Sequence, residues 1–183
     1  QGFFTTNITD LENKGFELEF TSQDFFFPGF YLAATYSYNK NEWQNDAQLF
    51  EGTQVNIKKG DEMRRTPRNT WALDLGYDFQ IAGIESYVRA NYWHKDETST
   101  FGFNSFDGDI DVPSQDVVNA SAGMIWDRWQ FRLYVNNLTD EIPWLNITSG
   151  GRAGSPGGDT PVRSNSIRSR TYGIEFLVRF GDR

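Results

Sequence analysis

Apolar and polar residues alternate along much of this chain with a period of two. In the stretch TYGIEFLVRF every second residue from Tyr172 to Phe180 is apolar, whereas Glu175 and Arg179 stand among the residues between them. Successive side chains of a β-strand point to opposite faces, so this spacing predicts a strand with one apolar and one largely polar face. The fold then depends on which of the two faces is buried in protein.

The same alternation recurs in seven segments, which predict seven strands. It has its weakest contrast in the fourth segment, where Tyr87 and Trp93 fall on the polar face. No part of the sequence spaces its apolar residues three and four apart over the length of a helix, so we predict an all-β chain. The segments are, in chain order, GFELEF, FYLAATYSYN, TWALDLGYDF, GIESYVRANYWH, VVNASAGMIW, RWQFRLYVNN and TYGIEFLVRF.

The links between these segments alternate between short and long. Links of hairpin scale span 21–29, 80–83 and 127–128. The other links span 40–68, 95–116 and 138–169. Each of these has more than about 20 residues, which is unusual inside a compact soluble domain. Short turns at one end and long loops at the other are typical of an outer-membrane β-barrel.

Two architectures use strands of this kind. The apolar faces form the core of a soluble β-sandwich, whereas they face lipid in a membrane barrel. Aromatic residues near strand ends, such as Trp71 and Phe79, favour the barrel because they are typical of its interfacial girdles. Charge is absent from the apolar faces, where Lys or Arg would cost about 2–4 kcal/mol at the bilayer centre. The charged residues of the strands lie on the polar faces: Glu17, Glu19, Asp74, Asp78, Glu85, Arg89, Arg132, Glu175 and Arg179.

The composition narrows the possible functions. A net charge of −8 argues against a nucleic-acid partner, because binding phosphates requires an excess of Lys and Arg. The chain contains no cysteine, so it has neither a disulfide framework nor a thiolate metal site. Its mean hydropathy of −0.61 is polar, yet 16% of its residues are aromatic. Polar loops joined to aromatic-rich strands would account for both values.

Four stretches resemble the C-terminal part of the TonB-dependent outer-membrane receptor family. KGFELEF resembles a strand opening of that family, and RRTPRNTWALDLGY resembles its proline-containing return from an extracellular loop into a strand. VVNASAG followed by WQFRLYVNNLTDE is similar to its paired late strands, and TYGIEFLVRF is similar to its terminal strand. The terminal strand of the family usually finishes at its aromatic residue, whereas here GDR follows Phe180.

This resemblance implies a segment of an antiparallel transmembrane β-barrel, about seven strands of a barrel of roughly 22 strands. We expect residues 1–183 to be the C-terminal part of the barrel domain, with the plug domain and the early strands absent from this chain. The whole protein would take up a scarce nutrient through the outer membrane of a Gram-negative bacterium. An iron–siderophore complex is the favoured ligand, with a glycan or cobalamin as alternatives.

The partners that the resemblance implies are outer-membrane lipid, the nutrient ligand, and the TonB complex, which would be contacted through the missing N-terminal part. Two other functions stay open at this stage. One is a passive, porin-like barrel, and the other is a soluble β-sandwich that binds a ligand. The sequence upstream of residue 1 would distinguish a receptor from a porin, since only the receptor has a plug.

No arrangement of residues predicts an enzyme, a cofactor or a resident metal. The single histidine, His94, stands at the outer end of the fourth segment, and we interpret it as a residue at the rim of the barrel. Asp107, Asp109 and Asp111 alternate in FDGDIDVP, which resembles part of a calcium loop. The stretch lacks the full twelve-residue spacing and the closing Glu, so a solvated acidic loop is favoured.

Aromatic residues in the long loops are the best candidates for ligand binding, because large apolar groups exposed in loops tend to mark binding surfaces. Packing of one loop against another is an equally favoured interpretation. The candidates are Trp43 and Phe50 in the first loop, Phe101, Phe103 and Phe106 in the second, and Trp144 and Arg152 in the third.

Overall fold

A computed structural model describes residues 9–48, 56–101, 109–142, 144–149, 162–166 and 168–181. Within these ranges the secondary structure is entirely β, which confirms the predicted fold class. No helix in this part of the chain is long and apolar enough to cross a membrane. The strands are β1 (Leu11–Gln23), β2 (Phe30–Trp43), β3 (Ala47–Gln48), β4 (Asn56–Ile57), β5 (Asn69–Ile81), β6 (Ile84–Lys95), β7 (Thr98–Phe101), β8 (Asp109–Val112), β9 (Gln115–Trp126), β10 (Trp129–Asn136), β11 (Trp144–Ser149), β12 (Val162–Ser166) and β13 (Thr171–Val178).

The seven strands predicted from the alternating pattern form one antiparallel sheet. Its order is β1-β2-β5-β6-β9-β10-β13, so each strand pairs with the next of the seven along the chain. The three short links close the hairpins at one end of this sheet. At the β5–β6 link both Ala82 and Gly83 have positive φ, 52° and 82°, as the right-handed twist of a two-residue hairpin requires.

Each long link contains a short hairpin that the sequence pattern did not predict. β3 pairs with β4, β7 with β8, and β11 with β12, in three separate two-stranded sheets. β2 also continues to Trp43, beyond the predicted end of its segment. The links at this end are therefore not structureless loops but β-hairpins joined to the long strands.

The apolar faces of the seven strands all lie on the same side of the sheet. Cross-strand pairs such as Leu18 with Tyr36 and Tyr36 with Trp71 keep this side apolar from one strand to the next. Its side chains are exposed at the outermost strands, where Ile174, for example, is 68% exposed, and mostly half-buried at the central ones. Among the described side chains only three apolar ones are buried, Ile57, Val112 and Val117. No sandwich core therefore covers the apolar face of the described sheet, and we call this side the outer face.

The opposite, inner face is crossed by a line of polar hydrogen bonds. Asn91 Nδ2 donates to Asp74 Oδ1 at 2.7 Å, and Asn119 Nδ2 donates to Asn91 Oδ1 at 3.2 Å. The backbone N–H of Asn137 then donates to Asn119 Oδ1 at 2.9 Å. This line runs from β5 across β6 and β9 to the residue after β10, and it fixes the polar groups along the wall.

Glycines on the inner face allow large polar side chains to lie flat against it. A Cβ at Gly123 would lie 2.5 Å from the Tyr87 ring and 2.7 Å from the backbone oxygen of Phe131. A Cβ at Gly173 would lie 2.6 Å from Tyr134 Oη. The absence of a side chain at these two positions therefore makes room for the two tyrosine rings.

An arginine stacks on each of these rings and pairs with an acid. The Arg89 guanidinium lies 5.3 Å from the centre of the Tyr87 ring and 2.5 Å from Asp78 Oδ1. Arg132 lies 5.2 Å from the centre of the Tyr134 ring and 3.0 Å from Glu175 Oε2. The inner face therefore carries the same combination of glycine, tyrosine, arginine and acid at two places.

Candidate functional site

Long links and their hairpins gather at one end of the sheet, which makes that end the candidate for ligand capture. Trp43, predicted to lie in the first loop, is instead the last residue of β2, where it shares the inner face with Asn41 and Ser37. Its backbone N–H donates to Asp61 O at 3.0 Å, and its C=O accepts from Gly60 N at 2.8 Å. Trp43 is therefore held at the upper edge of the inner face by the first loop.

The three loops are connected to one another. The backbone N–H of Arg65 in the first loop donates to Ser99 O of β7 in the second, at 2.8 Å. The third loop approaches the second, because β11 lies beside both β7 and β8. These contacts fit the interpretation that the loops pack against one another.

The structure places only some of the other loop candidates. Phe101 is the last residue of β7 and Trp144 the first of β11, so both lie at the ends of hairpin strands rather than in irregular loops. The remaining candidates lie outside the described residues: Phe50, Phe103, Phe106 and Arg152. Their role in ligand binding stays a prediction.

An open cavity of about 470 Å³ lies against the sheet near this end. Its inner-face lining combines the indole of Trp93 with charged and hydroxyl groups, which can stack on a ligand ring and hydrogen-bond its polar groups. Trp93 is not among the candidates that the sequence predicts. Its position as an aromatic residue among polar neighbours on the polar face of the fourth segment could have indicated it. The other inner-face residues at the cavity are Glu17, Glu19, Thr35, Ser37, Thr70, Ala72 and Lys95.

His94 lies on the outer face of the sheet, and it also borders this cavity together with Leu18, Tyr36 and Trp71. Its ring stacks on Trp71 with 3.8 Å between ring centres and an interplanar angle of 10°. Nδ1 lies 2.8 Å from Asp116 Oδ1, and Nε2 lies 3.1 Å from Asp96 Oδ1. Tyr92 Oη donates to the same Asp116 oxygen at 2.6 Å.

Both ring nitrogens of His94 are therefore occupied, so neither is positioned to take a proton from a substrate. This arrangement agrees with the interpretation of His94 as a rim residue. It lies at the same level of the sheet as Tyr36 and Trp71, whose rings are 6.4 Å apart. The cluster stabilises the loop end of β5, β6 and β9.

No group of three or more histidine and acidic side chains among the described residues could hold a metal ion. Asp109 and Asp111 belong to β8, an extended strand that pairs with β7, and Asp107 lies outside the described residues. The extended backbone of β8 differs from the curled backbone that a calcium loop requires.

The stretch NNLTDE holds the start of the third loop against the inner face. Asn137, with a φ of 54° and 2% exposure, donates from Nδ2 to Glu141 O at 2.7 Å and accepts from Glu141 N at 3.0 Å. Asp140 Oδ1 accepts the N–H of Arg170 at 2.9 Å, just before β13. These bonds explain why asparagine and aspartate stand there: their short polar side chains bond to the backbone of a turn and tolerate positive φ.

The family follows from the sequence comparison. The sequence model described as TonB dependent receptor-like, beta-barrel matches residues 1–138 of the 183. The chain belongs to this family. Barrels of the family are outer-membrane proteins of Gram-negative bacteria, so the outer face of the sheet faces lipid, the short turns lie on the periplasmic side and the long loops on the outside.

A solved structure of similar fold agrees with this assignment. The chain is similar to the ferric yersiniabactin uptake receptor FyuA from Yersinia pestis, with 18% sequence identity and a TM-score of 0.66. The match covers 93% of this chain and 24% of that receptor, so the chain spans about a quarter of the receptor's length. No curated protein sequence matches the chain.

Asp96 supplies a pH-dependent part of the stability of the loop end. It lies just after β6, where burial raises the pKa of its carboxyl but hydrogen bonds from Asn69 and His94 lower it more, so the net pKa is below the ordinary value. Asn69 Nδ2 donates to Asp96 Oδ2 at 2.5 Å and Asn69 N donates to it at 3.0 Å. The ionised carboxylate is therefore the form that the folded protein prefers.

A carboxyl whose folded pKa is depressed stabilises the protein above its unfolded pKa, about 3.9, and loses this contribution as pH falls through the folded pKa. We expect Asp96→Asn to flatten the fall in unfolding temperature of the complete receptor below about pH 4. Glu97→Gln, one residue along, is the matched control for the loss of one carboxylate at this end of the sheet. Identical pH slopes for Asp96→Asn and wild type would contradict the assignment.

Proposed function

We propose that this chain is the C-terminal part of the barrel of an outer-membrane receptor that takes up an iron–siderophore complex with energy supplied through TonB. The chain would form barrel wall and the extracellular loops that capture the ligand. Membership of the TonB-dependent receptor family is the observation that carries the proposal. In this proposal the complete protein also has a plug domain inside the barrel and contacts TonB.

The geometry of the loop end supports capture of a ligand from outside the cell. Three hairpin-containing loops contact one another at the same end of the sheet, and Trp43 marks the upper edge of the inner face there. Below this edge, Trp93 lines an open cavity together with Ser37, Thr70 and Lys95. A ligand passing from the loops into the barrel would meet an aromatic surface next to polar groups.

Two arguments favour an iron–siderophore complex over a glycan or cobalamin. The structurally similar receptor from Yersinia pestis is a ferric yersiniabactin uptake receptor. Siderophores also combine aromatic or apolar parts with many oxygen atoms, which Trp93 and the hydroxyl and ammonium groups beside it complement. A glycan fits the same groups by stacking on the indole, so the assay must compare the three substrate classes.

Uptake of radiolabelled iron tests the proposal directly. The complete receptor would be expressed in a Gram-negative strain that lacks its own siderophore receptors, and ferric complexes of a catecholate, a hydroxamate and a phenolate siderophore would be supplied in turn. We expect uptake of at least one complex, and loss of that uptake when tonB is deleted, because concentration against a gradient requires energy.

Uptake that persists without tonB would contradict the receptor and favour a porin-like barrel. Energy-dependent uptake of cobalamin or of an oligosaccharide, without uptake of any iron complex, would contradict the siderophore while keeping the receptor. A stable and cooperatively unfolding monomer in the absence of detergent would contradict both membrane functions.

The same assay tests the inner-face indoles. Trp93→Ala and Trp43→Ala each remove a surface on which a ligand ring stacks, and we expect the half-saturating concentration to rise about tenfold, which corresponds to about 1.4 kcal/mol. Trp126→Ala removes an equally large side chain from the outer face at the opposite end, and should leave uptake unchanged. If the half-saturating concentrations of Trp93→Ala and Trp43→Ala were the same as that of Trp126→Ala, both inner-face indoles would be excluded from the binding surface.

A further inference from the structure

The turn between β1 and β2 differs from the other two turns on the periplasmic side. It carries Phe25, Phe26 and Phe27, which are 77%, 58% and 47% exposed. The β5–β6 and β9–β10 links need two residues each to reverse the chain. The β1–β2 turn has six residues, 24–29, which is more than reversal of the chain requires. Reversal also gives no reason for three phenylalanines.

Hydrogen bonds fix the shape of this turn. Asp24 adopts a positive φ of 59°, and its Oδ1 accepts the N–H of Gly29 at 2.6 Å. The backbone N–H of Asp24 donates to Phe30 O at 2.8 Å, and that of Phe30 donates to Phe27 O at 3.2 Å. The three rings are therefore carried by a closed turn and not by a free loop.

The turn is also attached to the neighbouring strand β5. Gly29 has a φ of 82°, and its C=O accepts the N–H of Asp78 at 2.8 Å. A Cβ at Gly29 would collide with the Asp78 carbonyl oxygen, so glycine is what allows this close approach. The position of the rings is thus set relative to the barrel wall.

The rings continue the aromatic band of the outer face. Phe27 lies 4.7 Å from Phe30 and 5.4 Å from Tyr77, and Tyr77 stacks on Phe79 at 5.2 Å between ring centres. Phe26 lies 5.7 Å from Phe30 and 5.2 Å from Phe25. One unbroken row of ring contacts therefore leads from the lipid-facing strands to Phe25 on the turn.

We propose that this turn is a membrane anchor that inserts its phenyl rings at the boundary between headgroups and acyl chains of the periplasmic leaflet. The row of contacts connects it to a surface that already faces lipid, and the rings prefer an apolar surrounding to water. Asp24 is the only charged residue of the turn, and its carboxylate is used within the turn by Gly29. The turn contains no lysine or arginine whose charge would oppose insertion into the bilayer.

An anchor of this kind would fix the depth of the β1–β2 hairpin in the membrane. Two-residue turns at 82–83 and 127–128 carry no comparable apolar group, so they provide an internal reference at the same side of the barrel. Insertion of this turn into the bilayer does not depend on which ligand the receptor binds.

Fluorescence quenching in vesicles tests this anchor. Phe25→Cys in the complete receptor, freed of any other cysteine, would be labelled with nitrobenzoxadiazole and reconstituted in phosphatidylethanolamine and phosphatidylglycerol. Ala82→Cys at the tip of the β5–β6 turn is the matched control. We expect phospholipid that carries a doxyl quencher near its headgroup to quench the probe at 25 several-fold more than the probe at 82, and aqueous iodide to show the reverse order.

Three outcomes would overturn the proposal. The probe at 25 could be quenched by iodide as strongly as the control, which would place the turn in water. It could resist both quenchers, which would mean that protein covers it. It could also keep its lipid contact when Phe26→Ser and Phe27→Ser are added, whereas we expect loss of these rings to shift the probe towards iodide.

Discussion

Backbone hydrogen bonding inside a bilayer is the constraint on which the rest of this structure depends. Hydrocarbon offers no partner for an N–H or C=O group, so a strand can cross only if a neighbouring strand satisfies it along its whole length. Antiparallel pairing of each of the seven long strands with the next provides this for the interior of the sheet. The outermost strands, β1 and β13, need further strands of the barrel at their free edges, which agrees with a chain that spans about a quarter of a similar receptor.

Once the backbone is satisfied, the alternation of side chains gives the two faces separate roles. The outer face meets lipid with apolar residues and, at the level of Trp71 and His94, with aromatic rings and hydrogen-bonded carboxylates. The inner face carries paired charges, flat tyrosines over glycines, and the indole of Trp93 near the loops. A charged substitution that the polar inner face tolerates is therefore disruptive on the outer face, because the outer face meets lipid.

The long strands could be predicted from sequence because successive residues of such a strand alternate between lipid on the outer face and the polar interior of the barrel on the inner face. TWALDLGYDF and TYGIEFLVRF express this alternation almost without exception, and both are strands of the sheet. The hairpins in the loops could not be predicted, since β3 and β4 have two residues each, which is too few to show an alternation. The contacts of His94 with Asp116 and Asp96 depend on the strand register and on the turn after β6, which single-sequence periodicity does not report.

The central claim is that the apolar face of the sheet is its outside, and site-directed spin labelling of β13 tests it most directly. Single cysteines at position 172 and at positions 174 to 177 of the complete receptor in phospholipid vesicles would carry the label; Gly173 is left unchanged because a side chain there would collide with Tyr134. Collisions with oxygen, which concentrates in lipid, should be frequent at Tyr172, Ile174 and Phe176, and collisions with a water-soluble nickel complex should be rare there. Positions 175 and 177 should show fewer oxygen collisions, giving a period of two. Frequent collisions of the nickel complex at 172, 174 and 176, or no alternation at all, would contradict a lipid-facing apolar surface.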